Sequence, residues 1–310
     1  MLINTCRRSI DKSLNYARLQ NDLSEHGRRN RMGVLLLVGN ATQSCCAVQN
    51  FKENLASSTP IDMYIFSKQN AAERLHKKLN CSLDSHSMNN YFMALDEHWE
   101  TPEEANETSL WMSGFSEDYM RMGHWRLTFQ MEFAVNLGYQ YILQLDDDSR
   151  FLSRVDLDLL QYMRDNKVMA ARHVSKNDPL DVITGAAELA RYFLVAERIQ
   201  PTTLYNHCTP HNISGLYTLV ASHVGDDFGH PEDGGYSAVH LYGNFVVIDL
   251  DFWFDTRVQR FVRLVLGTGG HFRFRWNEQL VESMVWQIFV HPKQFATFSF
   301  DYAHGPENKC

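Results

Sequence analysis

The aromatic and apolar run Tyr139-Gln140-Tyr141-Ile142-Leu143-Gln144-Leu145 leads directly into three aspartates, Asp146-Asp147-Asp148. Such a run reads as a buried strand, which puts the three carboxylates at its carboxyl end. Open parallel sheets bind ligands in the crevice outside those ends. Neighbouring carboxylates in a cleft raise one another's pKa unless a cation compensates them. Hard oxygen ligands suit Mg²⁺ or Mn²⁺, and a site with one or two protein carboxylates leaves coordination positions for diphosphate oxygens. In glycosyl transfer from a nucleotide sugar, such a metal stabilises the charge building on the departing diphosphate. Taken alone, three acidic residues can equally be a solvated turn.

The rest of the chain supplies a frame for that strand. Val34 to Val38, enclosed by Gly33 and Gly39, and Asp62 to Phe66 read as buried strands, while residues 44–56 and Asn70 to Leu79 have helical spacing. This alternation predicts an α/β fold, a three-layer sandwich with a mainly parallel central sheet. Residues 80–118, polar and rich in Asn, Ser and Glu, predict a long surface excursion. Tyr119 to Asn136 predicts one helix with Met120, Trp125, Phe129, Phe133 and Leu137 near one face and Gly138 as its C-cap.

Further helices are expected at 156–166, 186–200, Arg257 to Leu266 and Asn277 to Phe289, and strands at Phe245 to Leu250 and Phe295 to Phe300. The first 30 residues read as a polar helix or arm, and 31–310 as a single domain with a lid at 201–237. That lid would exclude water from a bound donor. Its cluster Asp226, Asp227, His230, Glu232 and Asp233 is also a candidate metal site for a hydrolase.

A formal charge of −8 argues against a nucleic-acid surface, which needs clustered Lys and Arg. Val34 to Val38 is far shorter than a membrane span, and residues 1–20 show no signal peptide or anchor, so no membrane span is expected in this chain. The six cysteines lack CxxC spacing, which makes a zinc cage improbable. Adjacent Cys45 and Cys46 are either small buried hydrophobes or part of a disulfide set in an oxidising compartment. Sequons at Asn40, Asn80, Asn106 and Asn212 permit a secretory reading.

Three colinear patches carry a likeness. Glu97-His98-Trp99 with Pro102-Glu103 is similar to an EHW-x-x-P-E segment. Arg126, followed by Tyr141 through Asp146-Asp147-Asp148 to Phe151, is similar to a YWRVEPDVKF block. Gly243-Asn244-Phe245 through Asp249-Leu250-Asp251-Phe252-Trp253, then Gly269-Gly270, Arg275-Trp276 and Asp301 to His304, is similar to SNFEIADLDFF, GGFYYERWGDAPVHS and a GYRH close. The chain thereby resembles glycosyltransferase family 15, the fungal α-1,2-mannosyltransferases, which adopt a GT-A fold.

The resemblance implies Mn²⁺ (or Mg²⁺) held by Asp146, Asp148 and His304, with donor contacts from Arg126, Asp147, Arg275 and Trp276. It implies GDP-mannose as donor, a glycan or glycoprotein hydroxyl as acceptor, and the Golgi or secretory-pathway lumen as location; the cytoplasm is the alternative for a chain with no visible anchor. Val246 stands where the family carries a glutamate, proposed there to act at the sugar carbon. Glu278 and Asp249 are therefore the candidate catalytic carboxylates, although Asp249 also suits a helix cap and Trp276 a place in the core. A catalytically inactive relative that binds a sugar or a partner is the alternative function.

Overall fold

Strands that are apolar on both faces need cover on both faces. The computed structural model describes residues 28–38, 41–55, 58–68, 88–95, 99, 101, 116–173, 175–178, 180–183, 185–209 and 235–305. Its strands are β1 (Met32–Leu37), β2 (Ile61–Ser67), β3 (Met88–Ala94), β4 (Tyr141–Asp146), β5 (Ser149–Phe151), β6 (Ala170–Arg172), β7 (Ser175–Asn177), β8 (Cys208–Thr209), β9 (Gly235–Tyr236), β10 (Val239–Leu241), β11 (Phe245–Asp249), β12 (Phe295–Thr297) and β13 (Tyr302–His304). Its helices are α1 (Ala41–Asn54), α2 (Glu117–Leu127), α3 (Phe129–Asn136), α4 (Leu159–Asp165), α5 (Ala186–Glu197), α6 (Leu250–Trp253), α7 (Thr256–Gly267), α8 (Gly270–Arg273) and α9 (Glu278–Phe289).

Seven strands form the main sheet in the order β12-β6-β11-β4-β1-β2-β3. All neighbours are parallel except at β11, which runs antiparallel to both β4 and β6. Side chains alternate between faces along each strand. Leu35, Ile142, Val246 and Ile248 face a core shared with Trp125, Phe133, Phe193, Phe261 and Met284 from α2, α3, α5, α7 and α9. Val34, Leu36, Leu143, Leu145 and Val247 face a second core with Val48 and Phe51 of α1 and Leu159 and Met163 of α4. Helices on both faces make the three expected layers.

The structure corrects two local expectations. The excursion at 80–118 contains an edge strand, β3, paired in parallel with β2. Asn89 and Asn90 interrupt its apolar pattern, which an edge strand tolerates. The expected single helix from Tyr119 is two, broken at Thr128, whose φ of −112° and ψ of −90° leave the helical region. Its hydroxyl donates to the His124 carbonyl at 2.7 Å, a local bond that competes with the helix ladder. Arg126 sits just before the break.

The helix expected at Asn70 to Leu79, most of the N-terminal arm and the middle of the lid lie outside the described residues. The residues on either side of that undescribed stretch meet, because β8 pairs with β9. Cys46 is disulfide-bonded and so is not a free buried thiol, while Cys208 is free.

A polar contact lies between the sheet and α9. Gln144 of β4 donates its side-chain N–H to Glu282 Oε1 at 2.6 Å, and both residues are buried. Burial pushes the Glu282 carboxyl up to about 8; the Gln144 bond opposes the rise and Glu278 adds to it. The folded chain therefore binds this proton more tightly than the unfolded chain, in which the ordinary value is 4.5. The resulting stabilisation is complete below pH 4.5 and is lost as pH rises through about 8. Asp249, raised by burial to about 6, acts in the same direction over the lower part of that window. The melting temperature should fall between pH 6 and 8, and Glu282→Gln should flatten that slope in scanning fluorimetry. An unchanged slope in the variant would contradict the assignment.

Candidate active site

Asp146 is the last residue of β4, and Asp147 and Asp148 form the turn into β5. β5 pairs antiparallel with β13, with Ser149 opposite His304. This register brings His304 beside residues far earlier in the chain. Its Nε2 lies 3.1 Å from Asp146 Oδ2 and 2.9 Å from Asp148 Oδ1. One ligand atom from each of the three residues falls within 4.8 Å of the others. The second ring nitrogen, Nδ1, shares a 3.2 Å hydrogen bond with the Tyr242 hydroxyl, which fixes the ring's orientation.

Burial alone would lower the His304 imidazole, but hydrogen bonds to Asp146 and Asp148 outweigh it and raise the ring to about 9. Burial would raise Asp146; Arg126 and His304 instead hold its carboxyl well below the ordinary carboxylate range. A proton on His304 thus supplies the counter-charge that a cation would supply. Two carboxylate oxygens and an imidazole nitrogen, only part-buried and facing a cleft, form a donor set that fits Mn²⁺.

Arg126, buried on α2, reaches Asp146 through Nη2 and Glu278 Oε1 through Nη1, the latter at 2.9 Å. Asn277 caps α9 by accepting from the Leu280 N–H, so Glu278 is the first residue of that helix. Glu278 is 1% exposed and sits behind Arg126 instead of on the cleft wall. The expectation that it acts at the sugar carbon is corrected: its chemistry is to hold Arg126.

The cleft has a volume of about 850 Å³. Arg126, Asp147 and Arg275 line it together with Asp146, Asp148 and His304. Asp147 accepts a 2.8 Å hydrogen bond from the Ser44 hydroxyl. Arg275 has a left-handed φ of 61°, a strained conformation for a non-glycine residue, and its guanidinium stands over the Tyr119 ring at 5.5 Å. Trp276 is not on the cleft wall. Its indole fills the space where a side chain at Gly270 would go, so it is a core residue, and the donor-platform expectation is corrected.

Asp249 is also displaced from the site. Because β11 is antiparallel to β4, Asp249 pairs with Tyr141 at the opposite end of the strand from Asp146. Five residue steps separate the two ends, roughly 17 Å. Asp249 caps α6, accepting from the Asp251 and Phe252 N–H groups at 2.9 and 3.4 Å. Val246, paired with Gln144 in the adjacent ladder, is fully buried and does not reach the cleft. The cluster at 226–233 and the residues Glu97, His98, Pro102 and Glu103 lie outside the described residues.

Among the cleft residues that carried no expectation from sequence are Lys176, Asp178, His240 and Tyr242. They come from β7, β10 and the residues just after them, strands too short to leave an alternating pattern. The Lys176 ammonium stands 3.9 Å from the centroid of the Tyr242 ring, a cation–π contact.

A carboxylate pair at the carboxyl end of a central parallel strand, within a three-layer sandwich, fits a GT-A-like fold. The chain belongs to the family described as glycolipid 2-alpha-mannosyltransferase, whose sequence profile matches residues 3–310. Similar proteins include glycolipid 2-alpha-mannosyltransferase 1 of Candida albicans, 23% identical over 228 residues that make up 69% of this chain and 48% of that protein. The probable mannosyltransferase KTR4 of Saccharomyces cerevisiae is 21% identical over 176 residues, or 56% of this chain and 35% of that protein. The chain thus spans about half or less of the length of these relatives.

Among solved structures, core-mannan synthase A (CmsA/Ktr4) from Aspergillus fumigatus, in a Mn/GDP form, superposes with a TM-score of 0.72 at 19% identity, covering 96% of this chain and 79% of that one. The mannosyltransferase Ktr4p of S. cerevisiae, in complex with GDP, gives 0.65 at 14% identity, with 98% and 85% covered. At these identities the likeness is one of fold.

Breaking a buried ion pair from one side costs about 3–5 kcal/mol, because the remaining charge stays buried. Arg126→Met should therefore destabilise the protein by about that amount in urea denaturation. Adding Glu278→Met should recover part of the loss. A double variant no more stable than the single one would show that the pair is not coupled.

Proposed function

We propose that this chain is a divalent-metal-dependent mannosyltransferase that moves mannose from GDP-mannose to a hydroxyl of a glycan or glycoprotein. The observation that carries the reading is the convergence of Asp146, Asp148 and His304 at one end of a cleft that also holds Arg126 and Arg275. Family membership and the Mn/GDP form of the Aspergillus fumigatus enzyme support Mn²⁺ and a guanine nucleotide. When bound, the metal would neutralise charge on the departing diphosphate.

The chain's own residues do the rest. Arg126 keeps Asp146 ionised and aimed, Lys176 and Arg275 add positive charge to the cleft wall, and Tyr242 orients His304. Val246 can neither attack nor stabilise the sugar carbon, so this reading has no covalent intermediate on β11. The complete set of three ligands weighs against a silent binding protein.

The secretory-pathway lumen, as in the Golgi, is the proposed location. The disulfide at Cys46 favours an oxidising compartment over the cytoplasm. Among the described residues no helix is long and apolar enough to cross a membrane.

Ligands that bind only the native state raise its stability, by about 2.7 kcal/mol at about 100 times Kd. GDP should raise the melting temperature only when Mn²⁺ is present, and Asp148→Ala should abolish both that shift and mannose transfer. Stabilisation by another nucleoside diphosphate would change the donor; no metal-dependent response to any nucleotide would sink the proposal.

A further inference from the structure

β7 and β10 make a two-stranded antiparallel ribbon beside the main sheet, with Lys176 opposite His240. Period-two alternation puts Lys176 with Asp178, and His240 with Tyr242, on one side, and all four line the cleft. His240 and Asp178 are almost fully buried there, at 4% and 7% exposure.

Asp178 Oδ2 accepts a 3.1 Å hydrogen bond from the Asn277 side chain and stands 3.5 Å from His240 Nδ1. Nδ1 is itself buried and, among the described residues, makes no hydrogen bond. A buried polar atom left this way normally has a functional reason, since nothing in the fold is gained by it. With Nδ1 turned to Asp178, the geometry of the ring directs Nε2 away from the carboxylate. Burial pushes the imidazole down and outweighs the opposing pull of Asp178 and of a hydrogen bond to the Ala238 backbone, which keeps the ring neutral.

The dyad's position relative to the metal ligands also matters. The His240 ring lies 6.3 Å from that of Tyr242, which lies 5.2 Å from that of His304. His240 thus lines the same cleft as the ligand His304, with the Tyr242 ring between them.

We propose that His240, oriented by Asp178, accepts the proton of the acceptor hydroxyl during transfer, and that the acceptor lies against the β7–β10 ribbon. This rests on the transferase reading above. The acceptor oxygen forms its bond to the anomeric carbon, and the bond from that carbon to the diphosphate oxygen breaks with its electron pair leaving on the diphosphate. The hydroxyl proton passes to His240 Nε2, and Asp178 stabilises the imidazolium. The other charged or titratable groups facing this ring are Lys176 on β7, Glu278 on α9 and Tyr242 after its own strand.

The test uses the full chain with Mn²⁺, GDP-mannose as donor and methyl α-mannoside as acceptor. General acid–base catalysis typically contributes about 10²–10⁴-fold. His240→Gln should bind GDP and Mn²⁺ as the parent does, yet lose about 100-fold or more in kcat and lose the acidic limb of the pH–rate profile. Asp178→Asn, which retains an oxygen for Asn277, should lower kcat by about tenfold and shift the same limb. Added imidazole should restore part of the activity of His240→Gly. Transfer by both His240→Gln and Asp178→Asn within about threefold of the parent would overturn the proposal. So would a loss of kcat matched by an equal loss of GDP affinity, which would mark the dyad as wall structure. A parent protein that binds no GDP with Mn²⁺ would overturn the transferase reading itself and this inference with it.

Discussion

The site is organised by a guanidinium that water hardly reaches. Arg126 sits between Asp146, at the end of the central strand, and Glu278, at the start of α9. Arginine cannot shed its proton in a protein, so this charge is permanent and holds the Asp146 carboxyl well below the ordinary carboxylate range. That constraint positions three elements at once: the last turn of α2, the end of β4 and the first turn of α9. Without it, Asp146 would be a carboxylate crowded by Asp148 and desolvated, conditions that favour protonation and remove a metal ligand.

The main sheet supplies rigidity, and two small ribbons beside it supply several of the residues that line the cleft. β5–β13 carries His304, and β7–β10 carries Lys176, His240 and the approach to Asp178 and Tyr242. β11 shows how strand direction assigns roles. Running against β4, it leaves Asp249 at the far end to cap a helix. Its first residue, Phe245, lies beside Leu145, close to the cleft, but is buried and apolar.

The central strand and the acidic turn were legible from sequence because a fully buried strand leaves a continuous apolar run and its end is marked by a sharp change to charge. Layering was legible for the same reason. His304 was reached through family resemblance, since a lone histidine near residue 300 carries no local signal, and only the β5–β13 register explains its place. Glu278 and Trp276 were assigned to the right loop but the wrong side. The helix begins at 278 because Asn277 caps it, and that start turns Glu278 inward to Arg126 while Trp276 closes over Gly270. β3 was hidden by two asparagines, and the break at Thr128 by a helical pattern that continues across it.

The pairing of Asp146 with His304 joins residues 158 positions apart. Contacts of such separation demand that the intervening chain be largely ordered before they can persist, because loop closure is entropically unfavourable until other interactions hold the ends. The β13 ribbon is held by its short ladder, by a 2.7 Å backbone hydrogen bond from Leu152 to Asp301, by the Tyr302 hydroxyl donating to the Asn244 carbonyl, and by the packing of Tyr302 on Phe151 and Phe245. Competence to bind metal therefore depends on that ladder being in place. A molecule with a folded sheet but an undocked ribbon would retain most of its core and have no complete ligand set, so the centre reports on the integrity of the whole chain.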